Sequence, residues 1–375
     1  MTSVGALYLH IPFCRRKCHY CDFASVATSA DDERLRLHVE QLMAQMEAAA
    51  DEGLLGECKT AYIGGGTPTL LGANLLAELI AYVRRTCHQL CELSFEANPD
   101  SLCEGVLDSA LGAGATRISI GVQSFYDEEL EALGRLHTAE VARRCVRNAV
   151  MSGASVSVDL MCAIPRQTDE SWQRTLDEAV GLGVGHVSVY PLAIEEGTAF
   201  GVRYGQRPPA WNDEDVQADR MEQAQDTLVA AGFARYEVAS YARPDMDCKH
   251  NQAYWTGVPY LGLGVGAAGM LLSEQYDAAR RVLTWLPKTQ PNAARIRYET
   301  KGREVEFLKT REAWAEDLML GMRMSQGVDA SLVPPNVIES LEGRGLVQVE
   351  CGRMVPTHDG WLLGNELYGA LWDLA

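Results

Sequence analysis

The chain of 375 residues predicts an α/β fold: a partial (β/α)6 barrel, then an α+β extension and a small winged-helix-like module. Three observations predict it. Short apolar runs alternate with helical patterns through the first 200 residues. Polar residues interrupt those runs near their carboxyl ends, where α/β folds collect ligands. The texture then changes after Gly201, where Tyr204–Ala210 gathers Gly and Pro into a link.

The expected strands are Ala6–Phe13, Thr60–Gly64, Leu93–Ala97, Arg117–Gln123, Ser155–Ala163 and His186–Pro191. Helical patterns lie between them, near Asp31–Glu52, Ala73–Arg85, Leu102–Ala113, Ala139–Ser152 and Glu170–Leu182. Asp31 and Asp169 suit helix caps, because a short acceptor there satisfies free N–H groups. A β-then-α rhythm implies parallel strands joined by right-handed crossovers. Beyond the link come an acidic helix-like stretch, Asn212–Ala231, an extended segment, Phe233–Tyr241, and a Gly-rich apolar loop, Gly257–Gly269. Helix returns from Arg311, followed by a short strand pair around Leu346–Pro356 and a last helix from His358. The expected division is therefore 1–205, 206–305 and 306–375, and a winged-helix shape at the end does not by itself imply DNA binding.

Net charge is −18, which disfavours nucleic acid or an anionic leaflet gripped by a broad basic surface. Met1–Gly5 is short and polar, and no apolar run approaches the length of a membrane span. Eleven cysteines without a secretory signal do not suggest a disulfide scaffold, so cytoplasmic residence with reduced thiols is expected.

Cys14, Cys18 and Cys21 follow the first strand at C-x3-C-x2-C spacing. Three thiolates on one loop suit three irons of a [4Fe–4S] cubane and leave the fourth iron open to a small molecule. A structural zinc site is the plain alternative. It wants a fourth ligand, and none is evident, although His19 can be tried. Gly64-Gly-Gly-Thr-Pro68 closes the second strand and lets backbone approach a ligand. Glu96, Gln123, Arg135 and Asp159 are each polar where strand logic wants apolar. Together they outline a polar cleft over the cysteine loop.

These motifs resemble the radical S-adenosylmethionine (SAM) enzymes, and more narrowly the anaerobic coproporphyrinogen oxidase group, over nearly the whole chain. The resemblance implies a [4Fe–4S] cluster on Cys14, Cys18 and Cys21, with SAM chelating the open iron. It places Gly65 and Gly66 at the methionine part of SAM and Glu96 at its ribose or amine. Tyr8, Tyr20, Thr67, Pro68, Gln123, Arg135, Asp159 and Ala193 match the other positions lining the cofactor sites. The implied chemistry is one-electron cleavage of SAM to methionine and a 5′-deoxyadenosyl radical.

Within the group, Phe23 stands where the oxidases carry a fourth cysteine, and almost no leader precedes Cys14. Lys249-His-Asn-Gln-Ala-Tyr-Trp255 contains the H-N-x-x-Y-W signature of the haem chaperone branch. That branch implies haem as ligand, a haem-acceptor apoprotein as partner and an electron donor such as flavodoxin or ferredoxin. His250 is then a possible axial ligand, with Tyr254 and Trp255 packing on the porphyrin. A structural corner is the alternative for the same motif. The chain reads Gly266-Ala-Ala-Gly269 where relatives often show Gly-Ala-His-Ser. Oxygen-independent coproporphyrinogen III oxidase remains the rival function.

Overall fold

The structure, a computed structural model, describes residues 3–205 and 207–375. Met1 and Thr2, at the expected polar start, and Gln206, inside the expected link, lie outside the described residues.

Six parallel strands form the centre: β1 (Ala6–Ile11), β2 (Thr60–Gly65), β3 (Glu92–Ala97), β4 (Arg117–Gln123), β5 (Ser155–Cys162) and β6 (His186–Pro191). Helices α1 (Glu33–Asp51), α2 (Gly72–Thr86), α3 (Glu104–Gly112), α4 (Asp127–Leu133), α5 (Ala139–Met151) and α6 (Asp169–Gly181) connect them. Alternation decides which side of each strand is core. Ile118, Ile120 and Val122 of β4 pack in the main hydrophobic cluster, while Arg117, Ser119, Gly121 and Gln123 face the opposite way into a cavity. β5 does the same, with Val156, Val158 and Leu160 in the core and Ser157, Asp159 and Met161 in the cavity.

Two caps differ from expectation. Asp32, not Asp31, caps α1 and accepts from the Arg34 N–H. Thr168, not Asp169, caps α6, because Thr168 and Ser171 form a reciprocal capping box.

The chain after the link continues the same sheet. At one edge, β7 (Ala234–Arg235) and β8 (Ser240–Ala242) pair antiparallel beyond β6, following α7 (Ala199–Tyr204) and α8 (Glu214–Ala230). α9 (Lys249–Trp255) follows and sets the His250 ring against Thr60 at the start of β2. At the other edge, β9 (Tyr260–Leu263) lies parallel to β1. β10 (Ala268–Leu272), β11 (Ala293–Glu299) and β12 (Glu304–Lys309) extend it antiparallel, with α10 (Ser273–Val282) between. The result is one sheet of twelve strands.

The expected Gly257–Gly269 loop is thus two strands and their turn. Gly269 makes room for one ring: a Cβ there would lie 2.2 Å from the Tyr298 ring, whose hydroxyl bonds the N–H and C=O of Gly262, each at 3.0 Å.

The last residues build a module with its own core of Leu318, Met322, Val333, Leu341, Met354 and Leu371. It comprises α11 (Thr310–Gly321), α12 (Pro335–Gly343), α13 (His358–Leu362), α14 (Gly364–Trp372) and a small antiparallel sheet. The sheet strands are Val328–Asp329, Val347–Glu350 and Arg353–Pro356.

Candidate functional site

A cavity of about 490 Å³ occupies the concave side of the sheet, within the range of small-molecule sites. Its upper end is the cysteine loop. Residues Phe13–Cys14 pair with Val26–Ala27, and the Thr28 N–H bonds the Cys14 carbonyl at 2.8 Å, so the loop closes on itself. Cys14, Cys18 and Cys21 all line the cavity. Two donors address their sulfurs: Thr67 Oγ1 lies 3.4 Å from Cys14 Sγ and Arg135 Nη1 lies 3.6 Å from Cys18 Sγ. The Thr67 hydrogen bond and the Arg135 charge favour thiolate over thiol at Cys14. Burial acts the other way, raising Cys14 and pushing Cys21 up to about 11. Iron compensates that cost directly, so the trio fits an iron–sulfur cluster.

Beside it, the Gly65 N–H donates to Glu96 Oε2 at 2.9 Å and the Gly66 N–H to the Ile11 carbonyl at 2.8 Å. A Cβ on Gly66 would come within 2.6 Å of the Phe13 carbonyl oxygen and 2.9 Å of that of Ile11. Backbone, unlike a flexible side chain, cannot swing aside. Gly66→Ala should therefore push the turn off the cysteine loop and lower cluster retention on reconstitution. Full iron and sulfide content in the variant would contradict this.

Glu96 and Asp159 project from β3 and β5 into the same space. Burial, then repulsion from Asp159, lifts Glu96 to about 7. Burial lifts Asp159 to about 6, against hydrogen bonds from Ser119 and Ser188. Such a pair suits a ligand that brings positive charge or hydrogen-bond donors. An unfolded Glu ionises near 4.5 and the folded one near 7, so ionising Glu96 costs stability as pH rises through that window. Glu96→Gln should raise the melting temperature at pH 8 and leave it nearly unchanged at pH 4.5. Equal shifts at both would place the cause elsewhere.

Arg135 crosses above, with Nη2 donating to Asn98 Oδ1 at 2.7 Å and to the Gly121 carbonyl at 2.6 Å. Gln123 sits at a register shift at the end of β4 with φ of 67°, a left-handed conformation rarely adopted by a residue with a side chain. Such strain at a strand end aims a side chain, and Gln123 lines the cavity. Tyr8, Tyr20, Gly65, Gly66 and Ala193 line it too. Thr67 and Pro68 do not: Thr67 stands behind Cys14, and Pro68 opens a short 3-10 turn, Pro68–Leu71.

The His250 motif divides. His250 and Tyr254 line the lower cavity, but His250 is fully buried with both ring nitrogens engaged. Nδ1 lies 2.9 Å from Thr60 Oγ1 and Nε2 lies 2.9 Å from the Tyr254 hydroxyl. Burial holds its pKa down to about 3. Trp255 lies outside the cavity lining, under the guanidinium of Arg323, which also stacks on Tyr368 of the last module. Trp255 thus meets the C-terminal module, and axial ligation by His250 would break its two hydrogen bonds. Sequence reasoning also missed Tyr62, Arg117, His186 and Tyr190, which line the same cavity. Period-two alternation in β2, β4 and β6 was the available signal.

Three cysteines on a loop at the carboxyl end of a parallel sheet, above a cavity that holds Glu96, Asp159 and Arg135, match a radical-SAM architecture. The family model of the Radical SAM superfamily matches residues 8–179. The chain is 34% identical to heme chaperone HemW of Mycobacterium tuberculosis strain H37Rv, covering 97% of this chain and 94% of that protein. It is 31% identical to heme chaperone HemW of Bacillus subtilis strain 168, over 97% and 98% of the two chains. Among solved structures it resembles the radical-SAM coproporphyrinogen III oxidase of Escherichia coli. The TM-score is 0.77 at 20% identity, over 99% of this chain and 91% of that one. The chain belongs to the HemW family of radical-SAM proteins.

Among the described residues, no helix is long and apolar enough to cross a membrane.

Proposed function

We propose that this chain is a haem chaperone on a radical-SAM scaffold, binding haem and passing it to an acceptor apoprotein. The observation that carries this is its end-to-end similarity to proteins named heme chaperone HemW. Cys14, Cys18 and Cys21 would hold a [4Fe–4S] cluster, and the cavity beneath would take SAM. When bound, these groups supply one-electron cleavage of the sulfonium. Gly65 and Gly66 present backbone to the amino-acid part of SAM. Glu96 and Asp159 face its donors, Arg135 steadies the sulfur side, and Tyr8, Tyr20, Gln123 and Ala193 wall the space. Thr67 and Pro68 shape the turn from behind.

An electron donor such as flavodoxin or ferredoxin and residence in the cytoplasm complete the reading. Haem titration of cluster-loaded and cluster-free protein tests it. A saturable Soret change is expected, and no binding by either form would overturn it.

A further inference from the structure

A second group of cysteines gathers at the end of the sheet opposite the cluster loop. Thr60 and Glu92 pair at the starts of β2 and β3, so the segments just before them, which carry Cys58 and Cys91, run side by side. Cys91 is tied to the neighbouring segment: its N–H donates to the Lys59 carbonyl at 2.8 Å, and its Sγ lies 3.3 Å from the same oxygen. Cys87 closes α2, with its N–H bonding the Val83 carbonyl at 2.9 Å. Its side chain hydrogen-bonds that of Cys58, and both pack in the main apolar cluster. All three are free thiols.

Their access to solvent differs. Cys58 is 0% exposed and Cys87 is 1% exposed, whereas Cys91 is exposed. The bond to Cys87, then burial, holds the Cys58 thiol well above its ordinary range. Only a thiolate that meets its oxidant can begin thiol–disulfide exchange, so neither inner thiol can start one. Cys91 can. An exposed thiol beside a buried, mutually bonded pair has the layout of a relay, in which the outer sulfur reacts and the inner two resolve it.

We propose that these three thiols are a redox modification site: Cys91 takes up oxidation from a low-molecular-weight disulfide and passes it inward, leaving a Cys58–Cys87 disulfide. The Cys91 thiolate attacks one sulfur of the small disulfide, whose S–S bond breaks and releases one small thiol. Cys87 then attacks Cys91 Sγ and expels the second small thiol. Cys58 attacks Cys87 Sγ, and Cys91 departs with the Cys58 proton. Two protein thiols are oxidised, and one small disulfide is reduced to two thiols. The product lacks the hydrogen that Cys58 donates to the Thr60 carbonyl at 3.2 Å, and Thr60 Oγ1 is the group 2.9 Å from His250 Nδ1. Oxidation thus touches the strand start that supports the cavity wall. The site stands apart from the haem-chaperone reading and does not depend on it.

The test uses the cluster-loaded full chain, incubated anaerobically with oxidised glutathione, alkylated with N-ethylmaleimide and mapped by mass spectrometry. A linked Cys58–Cys87 peptide is expected, with Cys91 recovered as alkylated thiol. Cys91→Ser, a change at an exposed position, should slow that disulfide at least about tenfold, because the entry thiol is gone. Cys87→Ala should leave glutathione on Cys91. Glutathione held on Cys91 of the unaltered chain with no inner disulfide would overturn the proposal. So would an inner disulfide formed equally fast in Cys91→Ser, or no reaction at any of the three.

Discussion

Cys18→Ser is expected to abolish the cluster while leaving the fold in place. With three protein ligands, loss of one leaves two irons held, and a serine oxygen replaces a soft thiolate poorly. The Arg135 contact to Cys18 Sγ is altered by the same change. The fold survives because Cys18 is only half-buried on a loop, outside the main apolar core. After anaerobic reconstitution the variant should lack the broad absorbance near about 400 nm that Cys-ligated clusters show. Its iron content should fall to background and its melting temperature should match that of the unaltered, cluster-free protein. A full cluster in the variant would mean that the ligands are misassigned.

Arg295→Met should produce the largest loss of stability. Arg295 projects from β11 to α11 and is nearly fully buried, as is its partner Glu316. Nη1 meets Glu316 Oε2 at 2.7 Å, Nη2 meets Asp317 Oδ1 at 2.5 Å, and Arg297 Nη1 takes the other Glu316 oxygen at 2.7 Å. Breaking one side of a dry ion pair leaves a buried charge short of a partner, typically costing about 3–5 kcal/mol. Arg297 remains, so about 3 kcal/mol is expected in urea unfolding. Arg295→Met with Glu316→Leu should recover much of it. A loss below about 1 kcal/mol in the single variant would mean that water reaches the pair.

The parallel sheet was legible in the sequence because its strands are short apolar runs whose ends carry the polar exceptions. Glu96 and Asp159 stood out among apolar neighbours for that reason, and the structure brings both to one cavity. Thr67 and Pro68 were placed at the cofactor by the resemblance alone; in the structure they shape the turn outside the cavity lining, Thr67 facing Cys14 Sγ and Pro68 opening a short 3-10 turn. Trp255 shares a short helix with His250, but helical geometry puts it on the face that meets Arg323. The strands at Tyr260–Leu263 and Ala268–Leu272 were hidden because their glycines serve Tyr298, thirty or so residues away along the chain. Both caps missed by one residue, since the choice between adjacent polar residues is made by backbone geometry rather than composition.

The chaperone reading differs most sharply from an oxidase in what happens to a porphyrinogen. Reconstituted protein would be incubated anaerobically with coproporphyrinogen III, SAM and a strong reductant, and the porphyrins read by mass spectrometry. The account predicts intact coproporphyrinogen even where SAM is cleaved. Stepwise loss of two carboxyl groups, with 5′-deoxyadenosine in proportion, would contradict it and make the protein an oxidase.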